Sequence, residues 1–324
     1  MLRIHFSSAD LARTTISAEP DPLWEVVLSR FRLDDRRRPV TYRPWLSALS
    51  ATAESRAWAL RTLRVLAPRA PYFPDFLTPR AAADGLDAGL DAVRSTPRRE
   101  LCGQLTRLAE GTPLPGWVGP LAVGEPTAVA RLTAALRDYH DAVVAPWSTI
   151  MRQSVAADHA QRVRHLAAGG LDGLLAGLRP TMRWQPPVLE VDYATDRELH
   201  LGGRGLRLVP SYFCDGTPIS LADPELPPVL VFPIAQQFKL AHAVRSPHAL
   251  DSLLGSTRSA VLQSIHDGAT TTQLARRLDT SVASVSRHTT VLRAAGLVTS
   301  HRHGTAVLHS LTPLGVAMLD REHV

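Results

Sequence analysis

The sequence predicts an α+β chain in two parts. A mostly helical N-terminal domain is closed by a small antiparallel sheet, and a short C-terminal domain of helices and one hairpin follows. Three observations carry this prediction. Apolar residues recur at helical spacing through the first half of the chain, the period shortens to two after Pro186, and helix caps and turn residues crowd together after Pro247. The 324 residues suffice for two domains of ordinary size. Their expected bounds are 1–235 for the first domain, 236–247 for a connection of unspecified form and 248–324 for the second.

Helical spacing in the first domain is clearest at Leu23, Trp24, Val27, Leu28 and Phe31. It recurs at Trp58, Leu60, Leu63 and Leu66, and again at Val129, Leu132, Leu136, Tyr139 and Val143. Proline-rich stretches at 68–79 and 113–126 predict loops. A helix over 146–168 should stop at Gly169-Gly170, with a short helix over 171–178 ending before Pro180. Residues 188–193 alternate as a strand does. Two further alternating runs, 198–201 and 206–209, flank Gly202-Gly203-Arg204-Gly205 and predict a hairpin. Residues 229–232 predict one more strand, which closes the domain near Ala235.

Composition excludes several classes. No stretch approaches the ~20 apolar residues of a membrane helix, since the run at 229–234 is broken by Pro233. The start of the chain has no basic segment, apolar segment and small-residue cleavage site in succession, so it does not read as a signal peptide. Two cysteines, Cys102 and Cys214, make neither a disulfide framework nor a zinc ribbon and suit a reducing cytoplasm. The net charge of +6 permits a polyanionic partner. Lys239 is the only lysine, and such arginine usage resembles GC-rich coding, so location rather than total charge must identify a nucleic-acid site. The chain has no Gly-x-Ser-x-Gly elbow, P-loop or His-Glu-x-x-His, and no enzyme is expected. Cys102 reads as an apolar helix residue. The six tryptophans (Trp24, Trp45, Trp58, Trp117, Trp147, Trp184) read as core, with a hydrophobic ligand pocket as the other use of such residues.

The second domain starts with a helix holding Leu250, Leu253 and Leu254 and stopping at Gly255. Ser256 should cap a second helix with Val261, Leu262 and Ile265 on its apolar face. Thr270 or Thr271 should cap a third. After the turn at Asp279-Thr280, Ser281 should cap a fourth, which runs to Ala295 and stops at Gly296. Two helices joined by so short a turn make a helix-turn-helix. Residues 297–302 and 305–311, joined through His303-Gly304, predict a β-hairpin, and Thr312-Pro313 starts a last helix. The whole is a winged helix-turn-helix.

The fourth helix carries the chemistry. Val285, Leu292 and either Thr289 or Val282 should face inward; Ser284, Arg287, Thr290 and Arg293 should face outward. No acid occurs between Ser281 and Leu297. A helix that enters the major groove needs such a face: small hydroxyl residues allow close approach, arginine takes guanine bidentately, and carboxylates would repel phosphate. The expected DNA-binding residues are Thr271, Thr272, Gln273, Ser281, Ala283, Ser284, Ser286, Arg287, His288, Thr290, Arg293, His301, Arg302 and His303. A metal site at His301, His303 and His309 is the less common use of such histidines, and neither metal nor cofactor is expected.

Ser281, Ser284, Ser286, Arg287, His288, Leu292, Ala295, Gly296, Leu297 and Val298 together resemble the recognition-helix signature of the ArsR-type winged-helix repressors. Val282, Thr289 and Thr290 depart from it. The resemblance implies a homodimer that binds a palindromic operator and releases it when an inducer binds. Metal-sensing members carry a cysteine pair in the winged helix, and this domain has no cysteine. More loosely, Asp10-Leu11-Ala12-Arg13, the helix before Gly169-Gly170-Leu171, and 196–205 resemble an uncharacterised helical region found ahead of such domains in GC-rich bacteria. That likeness implies no known ligand.

The expectation is a cytoplasmic transcriptional repressor, a homodimer on double-stranded DNA with an inducer of unknown identity and no membrane partner. Its helix 281–295 should read the major groove, and its wing 297–311 the backbone or minor groove. The dimer seam should involve Leu250, Leu253, Leu254, Leu314, Val316, Met318 and Leu319. The alternative is a protein-interaction module whose winged helix contacts a protein partner.

Overall fold

A computed structural model of the chain describes residues 1–37, 39–50, 57–111, 113–243, 249–265, 268–303 and 306–320. The chain divides into two compact units, Met1–Ala243 and Val244–Val324. The fold is α+β.

The first unit opens with β1 (Leu2–His5), α1 (Ser8–Arg13) and β2 (Thr15–Ile16). Its helical body follows: α2 (Pro22–Leu33), α3 (Arg43–Ser50), α4 (Ala57–Leu66), α5 (Leu86–Arg94), α6 (Arg98–Gly111), α7 (Val118–Ala122), α8 (Pro126–Tyr139) and α9 (Ser148–Ala176). Gly169 and Gly170 leave helical geometry inside α9, so it is two helices that break at the expected glycines. The stretches expected as loops hold short helical pieces, a 3-10 turn at Asp75–Leu77 and the helix α7. The unit ends with β3 (Met182–Gln185), β4 (Val188–Val191), β5 (Arg197–His200), β6 (Arg207–Ser211), β7 (Ile219–Ser220), β8 (Val229–Pro233) and α10 (Gln236–Ala243). Residues 236–243, expected within the connection, are therefore helical and fall in the first unit.

The strands of this unit form two four-stranded sheets, ordered β3-β4-β1-β5 and β2-β6-β8-β7. Both are mixed. β1 runs antiparallel to β4 and parallel to β5, while β6 runs parallel to β2 and β8. The hairpin expected across 202–205 does not form, because β5 and β6 belong to different sheets. Glycine-rich alternating sequence marks a sharp change of direction, but partner choice is a long-range matter: β5 pairs with β1, and β6 with β2 and β8. The glycines serve that approach. The Gly205 N–H donates to Asp10 Oδ1 (3.0 Å), and a Cβ at Gly205, whose φ is +74°, would lie 2.5 Å from the Arg13 carbonyl oxygen. The segments around Asp10 and Gly205, noted separately in the sequence, are thus in contact.

Strands β6 and β8 are buried on both faces. Leu208, Leu230 and Phe232 join a core with Leu2, Ile4, Leu189, Leu199 and the α9 residues Leu174 and Leu175. Val209 and Val231 point the other way into the helical core. A strand covered on both sides reads as a continuous apolar run, as this sequence does at 229–232.

Helix α2 is the hub of the helical core, with every residue from Leu23 to Arg32 buried. The Asp21 side chain caps it by accepting from Trp24 N (3.3 Å) and also accepts from both terminal guanidinium nitrogens of Arg207 in β6 (3.2 Å each). Buried charge requires partners. Glu25 accepts from Ser211 Oγ (3.0 Å), Tyr212 N (2.8 Å) and Phe213 N (3.0 Å), and burial pushes its carboxyl up to about 7. The buried Lys239 amine donates to Tyr42 Oη (2.8 Å) and the Cys214 carbonyl (2.6 Å), fixing α10 to the rest of the unit; burial brings it down to about 8. Trp24 and Trp45 are core, whereas Trp117 is 40% exposed. Cys102, expected as an apolar helix residue, lies on the exposed face of α6.

The second unit contains α11 (Ala249–Leu254), α12 (Ser256–Gln263), β9 (Ala269–Thr270), α13 (Thr271–Arg277), α14 (Val282–Ala294), β10 (Val298–His303), β11 (Ala306–Leu311) and α15 (Pro313–Asp320). Its sheet has the order β10-β11-β9, with both pairings antiparallel. Val261, Leu262, Ile265, Leu274, Val285, Leu292, Leu297, Val298 and Leu319 form its core. Among the described residues no helix is long and apolar enough to cross a membrane.

Candidate nucleic-acid interface

Local signals set the interface out. Thr270 is the N-cap of α13, and Gln273 closes a capping box: Thr270 Oγ1 accepts from Gln273 N (3.3 Å), and Gln273 Oε1 accepts from Thr270 N (2.8 Å). Asp279 takes a left-handed φ of 49° in the turn, and Thr280 N donates to the Ala275 carbonyl (3.0 Å). Ser281 then caps α14 by accepting from Ser284 N (3.1 Å). Ser256 does not have the expected capping role. Gly255, with a φ of 83°, holds the N-cap of α12 and offers no side chain.

Within α14, Val285, Thr289 and Leu292 are buried and Val282 is 49% exposed, so Thr289 takes the inward position. Thr289 and Thr290 both donate to the Ser286 carbonyl (3.1 and 2.8 Å), a local bond that lets a hydroxyl face the core without an unpaired proton. The opposite side exposes Ser281, Ala283, Ser286, Arg287, Thr290 and Arg293, with Ser284 and His288 half-buried. Neither Arg287 nor Arg293 carries an ion pair with a described residue. Unpaired guanidiniums beside an acid-free helix face make an electropositive surface.

The other expected residues divide. Thr272 and Gln273 are exposed on α13. Thr271 is half-buried, and its hydroxyl lies 3.0 Å from His309 Nε2. His309 Nδ1 lies 2.8 Å from Ser300 Oγ, so both ring nitrogens are engaged. His309 is buried, and burial, then the positive charge of Arg293, lowers its pKa. This histidine ties β11 to α13 and β10.

In the wing, Ser300 faces His309, His301 faces Leu308 and Arg302 faces Val307. Side chains alternate along a strand. Val298, Ser300 and Arg302 share the face that covers the core, whereas Thr299 and His301 share the outer one. Arg302 and His301, both exposed, therefore leave opposite faces of β10. The turn at Gly304, the side chain of His303 and residues His248, His266 and His323 lie outside the described residues.

Two exposed cations of α13, Arg276 and Arg277, were not among the expected residues. Arg276 stands in the last turn of α13, ahead of α14. The signal available for it was the Arg276-Arg277 pair, of which Arg277 is engaged by the Ser264 carbonyl (3.0 Å).

Of the seam residues, Leu319 is core, and Leu254 and Met318 pack against the core. Leu253, Leu314 and Val316 are exposed by 70%, 59% and 41%; the side chain of Leu250 lies outside the described residues.

The family described as helix-turn-helix domain matches residues 253–301, the segment that spans α12, α13 and α14. No curated protein and no solved structure matches the chain. A helix-turn-helix domain points to DNA binding and transcription regulation, and the matched residues lie within the second unit.

Proposed function

We propose that this chain is a sequence-specific double-stranded DNA-binding regulator of ArsR type, a cytoplasmic repressor that acts as a homodimer. Residues 281–295 lie in the major groove, where Arg287 and the small residues Ala283, Ser284 and Ser286 meet base edges. Arg276, Arg293 and Arg302 neutralise phosphates. The observation that carries this reading is the exposed, acid-free face of α14 on a helix held by its Ser281 cap and its buried Val285 and Leu292. Arginine on such a face can serve guanine or phosphate, and the small residues around it let the backbone come close.

Dimerisation places two recognition helices roughly 34–36 Å apart, one turn of DNA. The exposed Leu253, Leu314 and Val316 support a subunit seam on α11 and α15, outside the DNA-facing helix. The first unit senses an inducer or supports the dimer, and contributes no enzymatic step or cofactor chemistry. The test is a mobility-shift titration with the DNA upstream of the gene itself, against a shuffled duplex of equal length. Specific binding by the intact chain, weakened with relaxed specificity in Arg287→Ala and weakened without sequence preference in Arg276→Ala, is the expected result. Equal binding to both duplexes overturns sequence-specific regulation.

A further inference from the structure

The helical body of the first unit holds a groove of about 560 Å³ between α4, α8 and the chain that leads into α7. That volume lies in the range of small-molecule sites, ~300–1,000 Å³. Its lining combines two kinds of group. Trp58, Trp117, Pro115 and Pro120 supply flat apolar surface over the buried Leu132. Arg61, Arg64 and Arg131 supply three guanidiniums against a single lining carboxylate among the described residues, Glu125.

Two of these three cations are not spent internally. Arg64 reaches Asp34 at 3.5 Å, but Arg61 and Arg131 have no ion pair among the described residues. Arg131 instead lies over the Trp58 ring, 5.6 Å from its centroid. A guanidinium held on an aromatic face is oriented and keeps its N–H edge open to an anion. Trp117 leaves 40% of its surface uncovered beside it, an apolar area that a flat ligand would remove from water.

A second cleft, around Trp24 and Asp75, has one arginine without an ion pair among the described residues, Arg80, and the carboxylates Asp75 and Glu100 in its lining. Asp75 accepts from Ala222 N and Asp223 N, Gln104 from Phe76 N, and Arg207 is held by Asp21. These three groups are satisfied by the fold.

We infer that the Trp58–Trp117 groove is a binding site for an aromatic organic acid, whose ring lies against the tryptophans and whose anionic group is held by Arg61 and Arg131. The site is independent of the DNA-binding reading, since it states what the first unit binds with or without DNA.

The experiment titrates the intact chain, without DNA, with 1-anilinonaphthalene-8-sulfonate and separately with the uncharged N-phenyl-1-naphthylamine, following emission sensitised by tryptophan. The expected result is saturable binding of the sulfonate to one site, displaced by 1-naphthoate. Arg61→Gln with Arg131→Gln should weaken the sulfonate by roughly tenfold or more, since a hydrogen bond to a charged group is worth ~1.5–3 kcal/mol, and leave the neutral amine nearly unchanged. Trp117→Ala should weaken both probes. All these side chains are exposed or half-buried, so each variant should keep the wild-type circular dichroism. No saturable binding in the wild type overturns the site, as does sulfonate binding that these variants leave unaltered. Equal loss of both probes in the arginine variant overturns the anionic class of ligand.

Discussion

Arg287 projects from the middle of α14 with no carboxylate among the described residues to neutralise it, and in the proposed complex it is the side chain best placed to read a base. Arg287→Ala should cost about 1–3 kcal/mol in operator binding and relax specificity at one position. Fluorescence anisotropy against operators substituted one pair at a time checks this. If the residue touches phosphate alone, all duplexes weaken alike and the salt slope falls. Gly315 is a residue of a different kind. A Cβ there would lie 2.1 Å from the Leu297 carbonyl oxygen, so Gly315→Ala must push α15 off the core, at about 1–3 kcal/mol. Gly103 in α6 has open space around it, and Gly103→Ala should gain roughly 0.5–1 kcal/mol. Urea unfolding of the two variants should move in opposite directions. At this scale the sequence shows its caps well, because Thr270, Gln273 and Ser281 act within three residues of themselves. It does not show that His309 bonds α13, nor that Gly205 exists for Asp10 and Arg13, since those partners are 38, 195 and 192 positions away.

Elements in this chain are joined by buried titratable groups, and two of them give opposite pH responses. Glu25 ties α2 to β6 and the chain just after it, and its folded pKa of about 7 is raised from an ordinary 4.5 by burial. Protonation therefore favours the folded state. Its contribution is full below the unfolded value and is lost as pH rises through about 7. Glu25→Gln removes this slope, so the difference in melting temperature between wild type and variant should shift in the variant's favour from pH 5 to pH 8. His309 ties the wing to α13 and has its pKa lowered by burial. Its contribution is full above the unfolded value near 6.5 and is lost as pH falls toward the folded value. His309→Gln should flatten that acid-side loss. A parallel pH response in the two pairs would contradict both assignments.

At the scale of the whole molecule, the exposed leucines of the second unit bear on assembly. Leu253 and Leu314 are more than half exposed, and each removes apolar area from water if a second copy covers it. Light scattering of the intact chain at micromolar concentration should give a dimer mass. Leu314→Glu should give a monomer that binds a half-site but loses the affinity gained from two sites on one duplex. A monomeric wild type, alone and on DNA, removes the seam.

What the sequence by itself determined is the second unit. Its helices begin at Thr270 and Ser281 and its apolar residues recur at one period, so local rules place α13, α14 and the wing strands in order. The acid-free face of α14 follows from that order. The helical elements of the first unit are legible for the same reason, down to the break at Gly169-Gly170. Tertiary structure alone decided the sheets. β1 pairs with β4 and β5 across nearly the whole first unit, and β6 lies between β2 and β8 instead of folding back on β5. Strand pairing is settled by which distant edges are free and which faces can be buried together, and neither is written within reach of the strand itself. The same holds for the groove, where Trp58 and Arg61 of α4 meet Arg131 of α8. Residues seventy positions apart become one surface only when two helices pack.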